Sequence, residues 1–340
     1  MLAAALLTVL FGAATPLTLP GGPPVGMDYL AYDPGSGLVW VPAGNTGRVD
    51  VVDTATGKLT PLTGFATRPA PRPGRPDLGP SSVTVGEGEV WIGNRADNSL
   101  CAFGSVRLDK RRCIQLASMP DGLAYVAATH ELWVTTPRDQ TITIVGTVVG
   151  LPGGTHPSTP RAPETIAMAG APEGYAVDSA ERRFYTNLED RDATVTIDVR
   201  TRKPLATWPA GCGAAGPRGL AIDAARRLLF VACTDGAVVR DLAHGGKQVG
   251  RLQTGGGVDN IDYHAGKGLL YVASAKDATL TIARVGRTGD LIASAVVPTA
   301  KGARNPVVDA RGTAYVPDSQ GGALLVITLP AASSATSPPP

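Results

Sequence analysis

Seven residues stand at equivalent points of a recurring pattern: Asp28, Ser81, Asp121, Glu173, Arg218, Asp259 and Arg304. Four carboxylates, two guanidiniums and a hydroxyl gathered in one ring suit two kinds of chemistry. Asp28, Glu173, Asp259 and the adjacent Asn260 offer the oxygen ligands that a hard cation such as Ca²⁺ takes. In the other reading Arg218 and Arg304 pair with neighbouring carboxylates, and the ring is an ion-paired surface that holds an opening together or meets a ligand. Asn305 adjoins the ring, and Asn187, Glu189 and Asp190 fall on the same side.

Other reactive constellations are weak. The histidines His130, His156, His244 and His264 lie in different units and form no spaced ligand set, with His130 and His264 expected in outer-side turns. No nucleophile elbow, phosphate loop or dinucleotide fingerprint has the strand-to-helix context it needs. Gly153-Gly154 and Gly255-Gly256-Gly257 read as turns. Cys101 and Cys113 flank a turn near Leu108, where adjacent antiparallel strands bring them within bonding range. Cys212 precedes and Cys233 follows a strand pair whose ends share one side, so a second bridge is expected there. Two disulfides imply an oxidising compartment, periplasmic or extracellular.

The elements that position these residues are read from an internal repeat. Seven segments each hold a turn, a short apolar strand, a charged or Gly-rich turn, and a second strand centred on an aromatic. Pro217–Asp223 followed by Leu228–Val231 shows the pattern, as does Pro120–Val126 followed by Glu131–Val134. The aromatics are Trp40, Trp91, Trp133, Tyr185, Phe230, Tyr271 and Tyr315, spaced by 51, 42, 52, 45, 41 and 44 residues. A third strand and, after another turn, a fourth complete most units. Four short strands per unit of this length make a propeller blade, which buries its faces only by stacking on neighbours. The expected fold is therefore all-β, a seven-bladed β-propeller. The 42 glycines and 29 prolines suit its many turns. In such a ring the starts of the first strands converge on the central channel, which places the seven polar residues at its mouth.

Ring closure is expected from the chain ends. The last unit runs to Leu324–Thr328 and lacks a fourth strand, while Thr15–Gly22 resembles the fourth-strand segment Lys203–Gly211. Residues 16–20 are expected to pair with the last blade and remove its exposed edge. Residues 1–14 are apolar, too short to span a bilayer comfortably, and carry small residues at Gly12 and Ala14. They read as an export signal, leaving 15–329 as the propeller and 330–340 as a disordered Pro/Ser-rich tail. No other stretch resembles a membrane span. A formal charge of +2 and 5% aromatics argue against a nucleic-acid partner. Two longer proline-bearing connections, 66–77 and 151–163, are expected to flank the mouth, where Arg68, Arg72 and Arg75 can meet an acidic ligand or envelope polymer.

The blades Pro217–Cys233 and Gly266–Ser274 resemble those of the YVTN-type β-propeller repeat proteins, and the resemblance covers roughly residues 16–328. It implies a secreted or envelope propeller and, because these repeats are scaffold motifs, says little of activity. Blades two and seven depart most, through the short turn Val85–Gly88 and through Pro306. Some related propellers are metal-dependent lactonases, so the resemblance also implies a hydrolase alternative, although no lactonase motif is matched residue by residue. The preferred reading is an exported binding propeller with no cofactor, whose partner is a small molecule, an envelope component or a protein.

Overall fold

The computed structural model describes residues 12–147 and 162–329. Seven four-stranded antiparallel sheets make the ring. Six are continuous in sequence. The seventh combines Val307–Val308 (β26), Ala314–Asp318 (β27) and Ala323–Ile327 (β28) with the N-terminal strand Ala14–Thr18 (β1) on its outer edge.

The closing strand forms as expected but begins earlier than the predicted 16–20. Ala14 lies opposite Ile327 and Thr18 opposite Ala323, and the Leu19 amide then donates to the Gly322 carbonyl at 2.9 Å. Antiparallel pairing alternates bonded and non-bonded positions. Leu19 therefore sets a phase in which Pro16, with no N–H to give, points its nitrogen away from the ladder. Leu19 is buried in a cluster with Val25, Met27, Val39 and Val41 of the first blade and Tyr315 of the seventh. The closure thus joins blades one and seven through the core as well as along the backbone. A cleavage after Ala14 would remove one of the five cross-strand pairs. Residues 1–11 of the expected export signal, and the expected tail 330–340, lie outside the described residues.

The periodic aromatics explain why the sheets stack. All seven are buried, and each packs on the blade that follows it. Trp40 clusters with Val83 and Ile92 of blade two, Trp91 with Leu123 and Leu132 of blade three, and Trp133 with Phe184 of blade four. Tyr185 meets Leu220, Phe230 meets Ile261, Tyr271 meets Val308, and Tyr315 meets Val39. Each ring removes some ~150–250 Å² from water, so a repeat of one aromatic per unit makes a circular core.

Both expected disulfides are present. Cys101 and Cys113 are directly opposed across strands Ser99–Gly104 and Lys110–Gln115. Cys212 and Cys233 join the entry of the first strand of blade five to the end of its second. The short turn of blade two is a two-residue hairpin whose Glu87 and Gly88 both take positive φ, the geometry that matches strand twist. Ahead of Val307 stands Pro306, and the first strand of blade seven shrinks to two residues.

Candidate functional site

The seven polar residues proposed from the repeat all line the channel mouth. Asp28, Asp121, Glu173, Arg218, Asp259 and Arg304 surround a cavity of about 480 Å³. Asp28, Ser81 and Arg304 also line an adjoining cavity of about 580 Å³ under the 66–78 connection. The two share Asp28, Arg75, Arg95 and Arg304 and make one bipartite opening. Of the two flanking connections, 66–77 covers the mouth. Most of the other, 151–161, lies outside the described residues.

Local backbone irregularities aim these side chains. The register of the first strand slips between Pro80 and Ser82, between Glu173 and Tyr175, and between Pro217 and Leu220. A bulge bends the strand and re-aims the side chains beside it, here Ser81, Glu173 and Arg218. Close approach requires glycine at two of these bulges. A Cβ on Gly174, whose φ is +68°, would stand 2.6 Å from the Gly219 Cα, and one on Gly219 would overlap the Asn260 carboxamide. Asn305, at φ +59°, closes the circle. Its Nδ2 donates to Asp28 Oδ1 at 2.8 Å and its Oδ1 accepts from the Asn260 amide at 2.9 Å, linking blades six, seven and one.

A second tier lies beside the ring, and of its members only Glu189 was read from the sequence. The residue immediately after each second strand also faces the opening: Gly44, Arg95, Pro137, Glu189, Thr234, Ala275 and Ser319. Arg95 is the most consequential. Its guanidinium lies 2.9 Å from Asp28 and also pairs with Asp121, so one cation bridges three blades. Aligning the blades at the ends of their second strands would have placed Arg95 beside Glu189. Of the other residues grouped with the ring, Asn187 donates to the Arg218 carbonyl and Asp190 accepts from the Ala171 amide.

The remaining charges form linked pairs. Arg218 reaches Glu173 at 3.0 Å and Glu189 at 2.6 Å, and Arg304 reaches Asp259 at 3.2 Å. Burial pushes the Glu173 carboxyl up to about 10, helped by its hydrogen bond with Glu189 and by the charges of Asp259 and Asp121. The Glu173 carboxyl therefore holds its proton at neutral pH. Asp28 is pushed up to about 6 by burial, against the pull of Arg95 and with the push of Asp259 and Asp121. Asp121 is raised by burial too, with Arg95 opposing. Burial disfavours charge on Arg95, Arg218 and Arg304, but the facing carboxylates prevail and keep all three firmly protonated.

Below the ring, Tyr29 and Tyr175 stack with centroids 6.3 Å apart. Tyr29 lines the mouth cavity, and Tyr175 lines one of about 580 Å³ on the opposite face. Burial among carboxylates raises both phenols, so they stay neutral between the two ends of the channel.

Each side chain of the proposed Ca²⁺ donor set has a neighbour of its own in the structure. Asp28 faces Arg95 and Asn305, Asp259 faces Arg304, and Glu173 faces Arg218. Asn260 lies over Gly219. Among the described residues no three Asp, Glu, His or Cys side chains are grouped to hold a metal. His130 lies beside Glu87 at the hairpin of blade two, and His264 contacts the Ala310 carbonyl. Neither lines the mouth.

No family model matches the chain, and no curated protein matches it by sequence. Solved structures define its class, the seven-bladed β-propellers. A chain of the mitotic checkpoint complex superposes with TM-score 0.73 at 12% identity, covering 97% of this chain and 96% of that one. Virginiamycin B lyase from Staphylococcus aureus gives 0.69 at 13%, over 94% and 99%. The WD40 repeats of RRP9 give 0.69 at 11%, over 95% and 100%. At such identities the likeness is one of fold, since one propeller scaffold carries unrelated functions.

Proposed function

We propose that this chain is an exported binding propeller of the YVTN-repeat type, which takes a small molecule, an envelope component or a protein segment at its channel mouth. The observation that carries this reading is the mouth itself, an open bipartite cavity whose walls are charged and whose floor is stacked tyrosine. Its size is that of ligand sites, roughly 300–1,000 Å³, and its polar groups are held by pairing and by bulged strands. Preorganised polar groups in a recess bind with little ordering cost. Export is supported by the two disulfides, which persist where the surroundings are oxidising. Among the described residues no helix is long and apolar enough to cross a membrane.

The alternative is a metal-dependent lactonase or esterase. Engagement of the acidic side chains by arginine favours the binding reading, because a metal would have to displace those cations first. Calorimetric titration with Ca²⁺ and Mg²⁺ separates the two, repeated on Asp259→Ala and Glu173→Ala and followed by a lactone panel. Under the binding reading there is no metal heat that depends on these residues and no turnover. Metal binding lost in both variants, together with lactone hydrolysis, would replace it with the hydrolase.

A further inference from the structure

The outer part of the mouth is built differently from the inner part. The inner cavity matches its acidic and basic side chains in number, with Asp28, Asp121, Glu173, Glu189 and Asp259 against Arg75, Arg95, Arg218, Lys276 and Arg304. The outer cavity brings Arg72, Arg75, Arg95, Arg138 and Arg304 against Asp28 and Asp77 alone. Arg95 and Arg304 are committed to the ring carboxylates. Among the described residues Arg72, Arg75 and Arg138 make no side-chain hydrogen bond or ion pair, although the carboxylates of the inner ring lie close by.

The connection that carries Arg72 and Arg75 explains why they do not fold back. Pro71 and Pro73 stiffen a turn at its tip, where the Arg75 amide donates to the Arg72 carbonyl at 3.4 Å and Gly74 takes a φ of +76°. Its base is clamped by reciprocal backbone bonds between Arg68 and Leu78, at 3.0 and 2.7 Å, and Arg68 also donates to the Arg95 carbonyl. Arg138 approaches from blade three, just after its second strand. Three cations held around one recess without partners repel one another, and an anion entering that recess relieves the repulsion. Ser81 lines the same cavity, and its buried hydroxyl has no hydrogen-bond partner. Guanidiniums from two elements can grip carboxylate or phosphate oxygens in paired hydrogen bonds.

We infer that the mouth takes a small molecule bearing a phosphate or carboxylate group, the anion seated among Arg72, Arg75 and Arg138 and the polar body extending to the inner cavity. This rests on the channel-mouth reading and adds the ligand's charge to it. The test is calorimetry with four probes: inorganic phosphate, citrate, glucose 6-phosphate and glucose. Citrate or glucose 6-phosphate is expected to bind while glucose does not, and raising NaCl from about 50 to about 300 mM weakens the binding. Which anion binds separates the carboxylate source from the phosphate source. The Arg72→Gln/Arg75→Gln double variant and Arg138→Gln each lose ~10-fold or more in affinity. All three residues are exposed, so these variants should melt as the parent does.

No binding of any anion at about 1 mM, or glucose matching its phosphate, would overturn the inference. So would an anion whose affinity the double variant leaves unchanged. A screen of neutral polar molecules then separates this failure from that of the broader reading. A neutral ligand sensitive to Arg218→Ala but indifferent to Arg72→Gln/Arg75→Gln keeps the mouth as a site and removes the anion. Absence of any ligand, charged or neutral, removes both.

Discussion

Replacing Arg95 with Met is the sharpest probe of the mouth, because it keeps an apolar stem and deletes the one cation that Asp28 and Asp121 share. The three side chains are only 13–21% exposed, so solvent screens the loss weakly. Removing one partner of a buried pair costs about 3–5 kcal/mol when the other charge must remain. Here the carboxyls have an escape, since both already sit above the usual carboxylate range and Asp28 stands at about 6. Without the guanidinium both rise further, and each added unit is worth about 1.4 kcal/mol. A carboxyl raised on folding contributes stability that is complete below its unfolded pKa and disappears as pH climbs through the folded one. At pH 5 the variant therefore loses mainly hydrogen bonds and packing, about 1–2 kcal/mol. At pH 8 the penalty grows to about 4 kcal/mol. Urea unfolding followed by tryptophan fluorescence at the two pH values measures this difference. A penalty equal at both, or larger at pH 5, would refute the burial and coupling assigned to this cluster.

Other expectations are simpler. Asp28→Asn should flatten the parent's decline in stability between pH 4 and pH 6, the window set by the raised Asp28 carboxyl, as seen in urea midpoints across that range. Leu19→Ala, which opens the joint between blades one and seven, should cost about 2–5 kcal/mol in the same assay. Replacing either cysteine pair with alanine should cost about 3 kcal/mol, given sequence separations of 12 and 21 residues, and non-reduced peptide mass spectra should show the 101–113 and 212–233 links. Gly174→Ala should displace Glu173 and weaken ligand binding at the mouth, because the added methyl meets backbone of blade five. Calorimetry against the parent protein checks it.

How much of this was readable in advance depends on what repeats. Trp40, Trp91, Trp133 and their four counterparts announce the ring because each does the same job at the same place in its unit, and that job is burial. The ring polar residues were placed by the same alignment. Arg95 was not, because it belongs to the tier after the second strand, where types run from glycine to glutamate and no shared chemistry marks the position. The bulges at Ser81, Gly174 and Arg218 are also silent, since a bulge arises from how neighbouring inner strands crowd together and leaves no fixed local code. The closing strand starts two residues before the expected 16–20: the match to Lys203–Gly211 aligns Pro16 with Pro204, where that strand begins, while here an edge position with its nitrogen turned outward tolerates proline within the strand.

Hydrogen-exchange mass spectrometry on the protein saturated with its bound molecule tests the assignment of the mouth most directly. The account predicts slowed exchange in 66–79, in 94–96 and around Gly219, Asn260 and Asn305, with little change elsewhere. Slowing confined to the opposite end of the channel, along 30–34, 83–88 and Tyr125, or to the outer fourth strands, would contradict it.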